Sequence, residues 1–222
     1  MLEWLFGRPR FRVYEDSFAR TRRAMLLGLK DAIATRMEQD QNVLLVTHFA
    51  DPFAELQDSL SESSIEYTIG PSRISPHDVL PLFQGSEQLV LCLADQLRND
   101  EVKPEPAPLG SKTTCVVVTE RHPNGRSDDA LESFCRSMPG HVEFGYFMSF
   151  EDVTVGSFLN EAALQILDLF GLGENELVTS NMISRRLKFA LRRNARTVHS
   201  DQPADSAKEW IELNVPPEPV DE

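Results

Sequence analysis

The sequence predicts an α/β protein built on a three-layer, mainly parallel sheet, and three observations carry that expectation. The runs Asn42–Thr47 (NVLLVT), Gln88–Ala94 (QLVLCLA) and Thr113–Thr119 (TTCVVVT) are apolar without in-and-out alternation, as strands buried on both faces are. Stretches with helical apolar spacing alternate with them, which is how parallel strands are joined. At 222 residues the chain suffices for one α/β domain with a terminal appendage and falls short of two full domains.

Taken in order, Met1–Val13 mixes Trp4, Leu5, Phe6, Phe11 and Val13 with Arg8, Arg10 and Arg12. The alternation from Arg10 to Val13 suits an edge strand or an arm laid on the core, with a membrane-touching peptide as the alternative. Ser17–Gln39 places Phe18, Met25, Leu29, Ile33 and Met37 at helical spacing, with Ser17 as N-cap. After the strand at Asn42–Thr47, Asp51 and Pro52 supply an N-cap and a first-turn proline for a helix reaching Leu60. Ile65–Ile69 is expected as a strand, Gly70-Pro71 as a loop and Pro76–Phe83 as a short helix.

Three prolines in Lys103–Gly110 (KPEPAPLG) exclude helix and ladder pairing and mark a stiff surface loop. Beyond the turn at Pro123-Asn124-Gly125, Ser127 is expected to cap a helix from Asp128 to Met138, with Asp128, Asp129 and Glu132 set favourably against its dipole. His141–Phe150 follows as a strand. Past Asp152 the pattern turns helical over Phe158–Phe170, breaks at Gly171-Leu172-Gly173 and resumes from Ser180 to Arg196. Pro216, Pro217, Pro219, Asp221 and Glu222 leave the tail too poor in apolar residues to pack alone, so it is expected to be loose. The expected division is an arm over 1–16, an α/β lobe over 17–155, a helical extension over 156–200 and a loose acidic, Pro-rich tail over 201–222.

Composition narrows the function. A net charge of -13 opposes non-specific attraction to nucleic acid or anionic lipid, so either would need a local basic patch. Cys92, Cys115 and Cys135 are odd in number and widely spaced, which argues against zinc or a disulfide framework; Cys92 and Cys115 read as small buried hydrophobes. No apolar run approaches the roughly 18 to 20 residues that span a bilayer, and the first residues lack a cleavage site, so a cytoplasmic protein is expected. The histidines are scattered, and no nucleophile constellation or phosphate-binding G-x-x-x-x-G-K-[ST] is present. Glu151 and Asp152, adjacent in an extended stretch, would point to opposite faces and so cannot work as an acid/base pair.

One segment is more specific. Thr119–Asp152, TERHPNGRSDDALESFCRSMPGHVEFGYFMSFED, resembles the SecA preprotein translocase motor, whose pattern is T-E-R-H-x-x-x-R-x-D-x-x-L, a Gly/Arg-rich run, then F-x-x-S-x-E-D. Upstream, QNVLLVTHFADPFAELQDSLSESSIEYTI looks like the entry to the second motor lobe. Downstream, Met182, Ile183, Ser184 and Arg185 are similar to the start of the family's scaffold helix. The resemblance covers roughly Ser17 to Arg196 and implies a RecA-like lobe of the P-loop helicase second-lobe type with a C-terminal helical extension.

The family's run R-G-R-S-G-R-Q-G-D-P-G is replaced here by Glu132 to Val142, with Phe134 and Ser137 where arginines are expected and Arg136 one position off. The resemblance therefore implies a degenerate copy. Its nucleotide-facing remnants would be Arg98, Glu101, Arg121, His122, Arg126 and Asp128, although Asp128 and Arg126 also suit a mutual pair bracing the helix start. An arginine finger is worth about 10³ to 10⁵ in rate, so no cofactor and no catalysis are expected.

The residues left for function are the basic block Arg185, Arg186, Lys188, Arg192, Arg193 and Arg196, which would bind a protein partner or pair two copies. The leading expectation is a non-enzymatic interaction module linked to protein translocation. The alternatives are half of a split ATPase motor taking ATP and Mg²⁺ with another chain, and a nucleic-acid-binding helicase-like lobe. Peripheral membrane contact is compatible with the first.

Overall fold

A computed structural model describes residues 10–85, 88–99, 111–159, 173, 175–198 and 200–216. The strands are β1 (Phe11–Val13), β2 (Ser17–Ala19), β3 (Asn42–Thr47), β4 (Thr68–Ile69), β5 (Leu89–Leu93), β6 (Thr114–Val118), β7 (Val142–Ser149) and β8 (Leu177–Thr179). The helices are α1 (Arg22–Glu38), α2 (Ala50–Glu62), α3 (Val79–Leu82), α4 (Gly125–Ser137), α5 (Val153–Phe158), α6 (Asn181–Asn194) and α7 (Ala207–Asn214). One eight-stranded sheet runs β4-β5-β3-β6-β7-β2-β8, with β1 also on β7. All pairings are parallel except β2 with β8.

Strand periodicity sorts the core into two layers. Leu44, Val46, Val90, Cys92, Val116 and Val118 face one side and pack with Leu131 and Phe134 of α4 and Ile183, Leu187 and Leu191 of α6. Val43, Leu45, Leu89, Leu91 and Val117 face the other, against Met25, Leu29 and Ile33 of α1 and Leu56 and Leu60 of α2. Helices thus cover both faces, which explains the uninterrupted apolar strands. The fold is the expected three-layer, mainly parallel α/β sheet with a C-terminal helical extension.

Several local expectations are corrected. Ser17 does not cap α1: Ser17–Ala19 is strand β2, in register with Phe147–Ser149, and Thr21 caps the helix by accepting the Ala24 N–H at 3.1 Å. Phe18 and Ala19, fully buried, go to the sheet edge rather than the helix stripe. The cap of α2 is Phe49 rather than Asp51, and β4 keeps only the last two residues of Ile65–Ile69. α4 begins at Gly125 with Asn124, not Ser127, as N-cap, and Asn124 Oδ1 accepts the Arg126 N–H at 3.2 Å. A Cβ at Gly125 would stand 3.1 and 3.2 Å from the α6 backbone at Leu191 and Arg192, so glycine lets the two helices meet.

The helical turn after Asp152 comes earlier than expected, at α5, and residues 160–170 of the expected Phe158–Phe170 helix lie outside the described residues. So do 1–9, the 103–110 loop and 217–222. The largest correction is the tail. Within the expected loose stretch, Ala207–Asn214 is a capped helix whose Trp210 is 1% exposed.

Candidate functional site

The site lies at the carboxyl ends of β3 and β6. The chain leaves β3 through α2 toward the β4 edge and leaves β6 through α4 toward β7 on the other side. Diverging connections of this kind open the crevice in which α/β sheets take ligands. Its walls are the segments 47–49 and 119–124.

A buried polar network fills this end of the sheet. The Arg121 guanidinium donates Nη2–H to Asp16 Oδ2 at 2.6 Å and Nη1–H to Asp128 Oδ2 at 3.1 Å, and lies 3.8 Å above the Tyr146 ring centre. Asp128 Oδ1 accepts the His122 backbone N–H at 3.1 Å. His48 Nε2 is also 3.1 Å from that oxygen, at ion-pair distance but off the line of a hydrogen bond. Burial opposes ionisation of Asp128, yet His48 and Arg121 together hold its carboxyl below the usual range. Beside it, Glu120 Oε1 accepts the Thr47 hydroxyl at 2.5 Å and the His48 N–H at 2.9 Å; burial pushes this carboxyl up.

His122 is the pivot. Its Nδ1 accepts the Asn124 N–H at 2.9 Å, which leaves the proton of the neutral ring on Nε2. The ring stacks on Phe49 at 5.0 Å and meets Trp210 edge-on at 5.0 Å. Burial, and then the neighbouring His48, lower its pKa from 6.5 to about 4, so the imidazole is neutral at physiological pH.

The C-terminal segment closes the crevice from above. Phe49, Ala207 and Trp210 form a separate apolar cluster, with Val198, Ala204, Ile211 and Val215 around it. A cavity of about 320 Å³ remains open on the far side of His122, bordered by His48, Asp95, Arg98, Asn99 and Ser127.

The residues singled out by sequence divide sharply. Arg121, His122 and Asp128 converge in the network, 5%, 8% and 4% exposed. The expected Arg126–Asp128 pair does not form: Arg126 is exposed with no ion pair among the described residues, and Arg121 takes the carboxylate instead. The register explains this, because Asp128 faces inward on the α4 turn that carries Arg126 outward. Arg98 is exposed on the cavity rim, and Glu101 lies outside the described residues. Phe134 is 1% exposed in the core, while Arg136 lies on the outer surface paired to Glu132 at 2.6 Å. Sequence reasoning missed Asp16, Glu120 and Trp210. Only a tryptophan at helical spacing from Ala207 and Asn214 hinted at the last.

The basic block of α6 is also divided. Lys188 reaches Glu132 at 3.0 Å and Arg192 reaches Asp129 at 2.9 Å. Arg185, Arg186, Arg193 and Arg196 are exposed and without an ion pair among the described residues, beside Met182 at 44% and Phe189 at 72% exposure. The three cysteines are free and buried, and burial pushes the Cys115 thiol up to about 12. Among the described residues no cluster of His, Cys, Asp or Glu could hold a metal ion, and no helix is long and apolar enough to cross a membrane.

No family model matches the chain. Protein translocase subunit SecA of Clostridium botulinum (strain Eklund 17B / Type B) is 20% identical over 177 residues, 79% of this chain and 21% of that one. SecA of Amoebophilus asiaticus (strain 5a2) is 27% identical over 93 residues, 42% of this chain and 8% of that one. Among solved structures, the C-terminal part of the Fun30 ATPase domain matches 76% of this chain and 54% of its own at a TM-score of 0.42 and 11% identity. The chain spans about a fifth of the length of the first of these SecA relatives and is similar to SecA at low identity over about four-fifths of its own.

Proposed function

We propose that the chain is a SecA-like, catalytically degenerate motor-lobe protein that acts as a non-enzymatic protein-interaction module linked to protein translocation. One observation carries this reading. Of the residues that would face a nucleotide, Arg121, His122 and Asp128 are buried in an internal network behind the chain's own C-terminal segment, while Arg98 and Arg126 are exposed outside it. A phosphoryl-transfer site needs a cation free to reach developing charge. Arg121 is bound on both sides by carboxylates, Phe134 is core, and Arg136 is paired to Glu132 and lies over Phe11.

The surface that supports an interaction role is the outer stripe of α6, where Met182, Arg186, Phe189 and Arg193 recur at helical spacing. Its unpaired cations suit an acidic protein partner or a second copy of this acidic chain. Calorimetric titration of the purified chain with ATP and ADP, with and without Mg²⁺, tests the silent reading. Absence of heat is expected, and micromolar binding or Mg²⁺-dependent hydrolysis overturns it. The open cavity beside Arg98 favours the second reading, half of a split motor, and nucleotide binding that Arg98→Ala abolishes would move the assignment there.

A further inference from the structure

The C-terminal segment Ser200–Pro216 is knitted to itself far more than to the lobe. Asn214 Oδ1 accepts the Ser200 hydroxyl at 3.2 Å and the Gln202 N–H at 2.7 Å, and its Nδ2 donates to the Gln202 carbonyl at 3.1 Å. Trp210 Nε1 donates to Asp201 Oδ1 at 2.7 Å, and Ser206 caps α7 through the Glu209 N–H at 3.3 Å. Both ends of the helix are therefore tied to the stretch that leads into it. Among the described residues only two hydrogen bonds join the segment to the lobe: Asp51 N–H to the Asp205 carbonyl at 2.9 Å, and Asn124 Nδ2–H to Asp201 Oδ2 at 3.2 Å. The rest of the attachment is apolar: Trp210 meets His122 edge-on, Trp210 and Ala207 cluster with Phe49, and α7 lies against α5.

That indole sits over the switch point, and cavities flank the segment on both sides. One of about 350 Å³ is bordered by Ser206, Ala207 and Lys208 together with Glu120, and one of about 300 Å³ by Ser200 and Asp201 together with Asn124. A unit with internal bonds, few external ones and voids along its edges can leave as a body without breaking its own structure. Its departure bares the stacked rings of Phe49 and His122, an unpaired N–H in the first turn of α2 and the Asn124 amide.

We propose that Ser200–Pro216 is a detachable strap, the cis occupant of a peptide-docking groove at the carboxyl ends of β3 and β6, and that the opened groove takes a tryptophan-anchored helix from a second protein. The resident segment defines the ligand chemistry. An indole covers the stacked Phe49–His122 pair, a main-chain carbonyl just ahead of the helix accepts the Asp51 N–H, and a carboxylate accepts from Asn124. This goes beyond the reading above, since the groove docks a peptide whether or not the chain binds nucleotide.

The test uses the full chain and a fluorescein-labelled peptide of residues 200–216, followed by anisotropy. Full-length Trp210→Ala, checked for native circular dichroism, binds the peptide in trans. Wild type binds it at least about 100-fold more weakly, because a groove open in about 1% of molecules weakens apparent affinity by that factor. A peptide with alanine in place of its tryptophan binds neither. Equal affinity for wild type and variant, or no binding to a folded variant, overturns the proposal. If the variant does not fold, hydrogen exchange on wild type decides. Amides of α7 exchanging together, well before those of β3 and β6, support the strap, and exchange only with global unfolding overturns it.

Discussion

His122 makes the stability of the chain acid-sensitive in a calculable way. The folded protein holds the ring neutral with a pKa of about 4, while in the unfolded chain the ring titrates at its ordinary value of 6.5. A group with a depressed folded pKa leaves the unfolded state binding more protons, so its contribution is complete above 6.5 and is lost as pH falls toward about 4. The gap of about 2.5 units corresponds to about 3 kcal/mol in full and about 2 kcal/mol at about pH 5. His122→Asn removes the titration while its Oδ1 still accepts the Asn124 N–H. Urea melts of both proteins from about pH 7.5 to about 4.5 measure the difference. The variant is expected to lose less stability on acidification by that amount. Parallel pH profiles for the two proteins would refute the buried neutral imidazole.

Three further expectations follow from the same end of the sheet. Arg121→Met leaves Asp16 and Asp128 buried without their shared cation and should cost about 3 to 5 kcal/mol in chemical denaturation. Glu120→Gln keeps an acceptor for Thr47 and His48 but removes a carboxyl whose pKa burial raises, so the variant should gain on wild type as pH rises above 4.5 and lose that advantage in acid. Phe134→Arg, which restores a cation at a position where the family carries arginine, should unfold the protein rather than confer hydrolysis, because it places an unpaired charge where 1% of the residue meets solvent. Thermal melts and a phosphate-release assay check both halves of that statement.

What was legible in the sequence is what periodicity encodes. β3, β5 and β6 stand out because burial on both faces leaves unbroken apolar runs, β7 because Val142, Phe144, Tyr146 and Met148 alternate along it, and α6 because its cap and stripe are complete within one stretch. The misreadings share one cause, long-range pairing. Phe18 fits a helix stripe as well as a strand, and only β7 alongside it decides. Asn124 and Ser127 are equivalent caps until α6 approaches Gly125. Arg121 and Arg126 compete for Asp128 on paper, and Asp16, 105 residues from Arg121 in sequence, decides in favour of the former. Trp210 belongs to a tail whose apolar content is too low to pack alone, and it packs because the crevice supplies Phe49 and His122.

The charges around the crevice decide what can enter it. Asp16, Glu120 and Asp128 are buried at this end, against two guanidiniums that are already engaged: Arg121 bridges Asp16 and Asp128, and Arg22, beside Glu120, pairs with Glu55 and Asp152. A phosphate at the buried end would lose its hydration and meet carboxylates whose guanidiniums, Arg121 and Arg22, are already paired, so desolvation and repulsion act together against it. An indole meets the opposite situation. It carries no charge to desolvate, it packs against Phe49 and meets a neutral His122 edge-on, and its one N–H is satisfied by Asp201 at 2.7 Å. The buried polar groups at this end of the sheet are thus committed to one another, and what it offers a ligand is the aromatic pair Phe49 and His122.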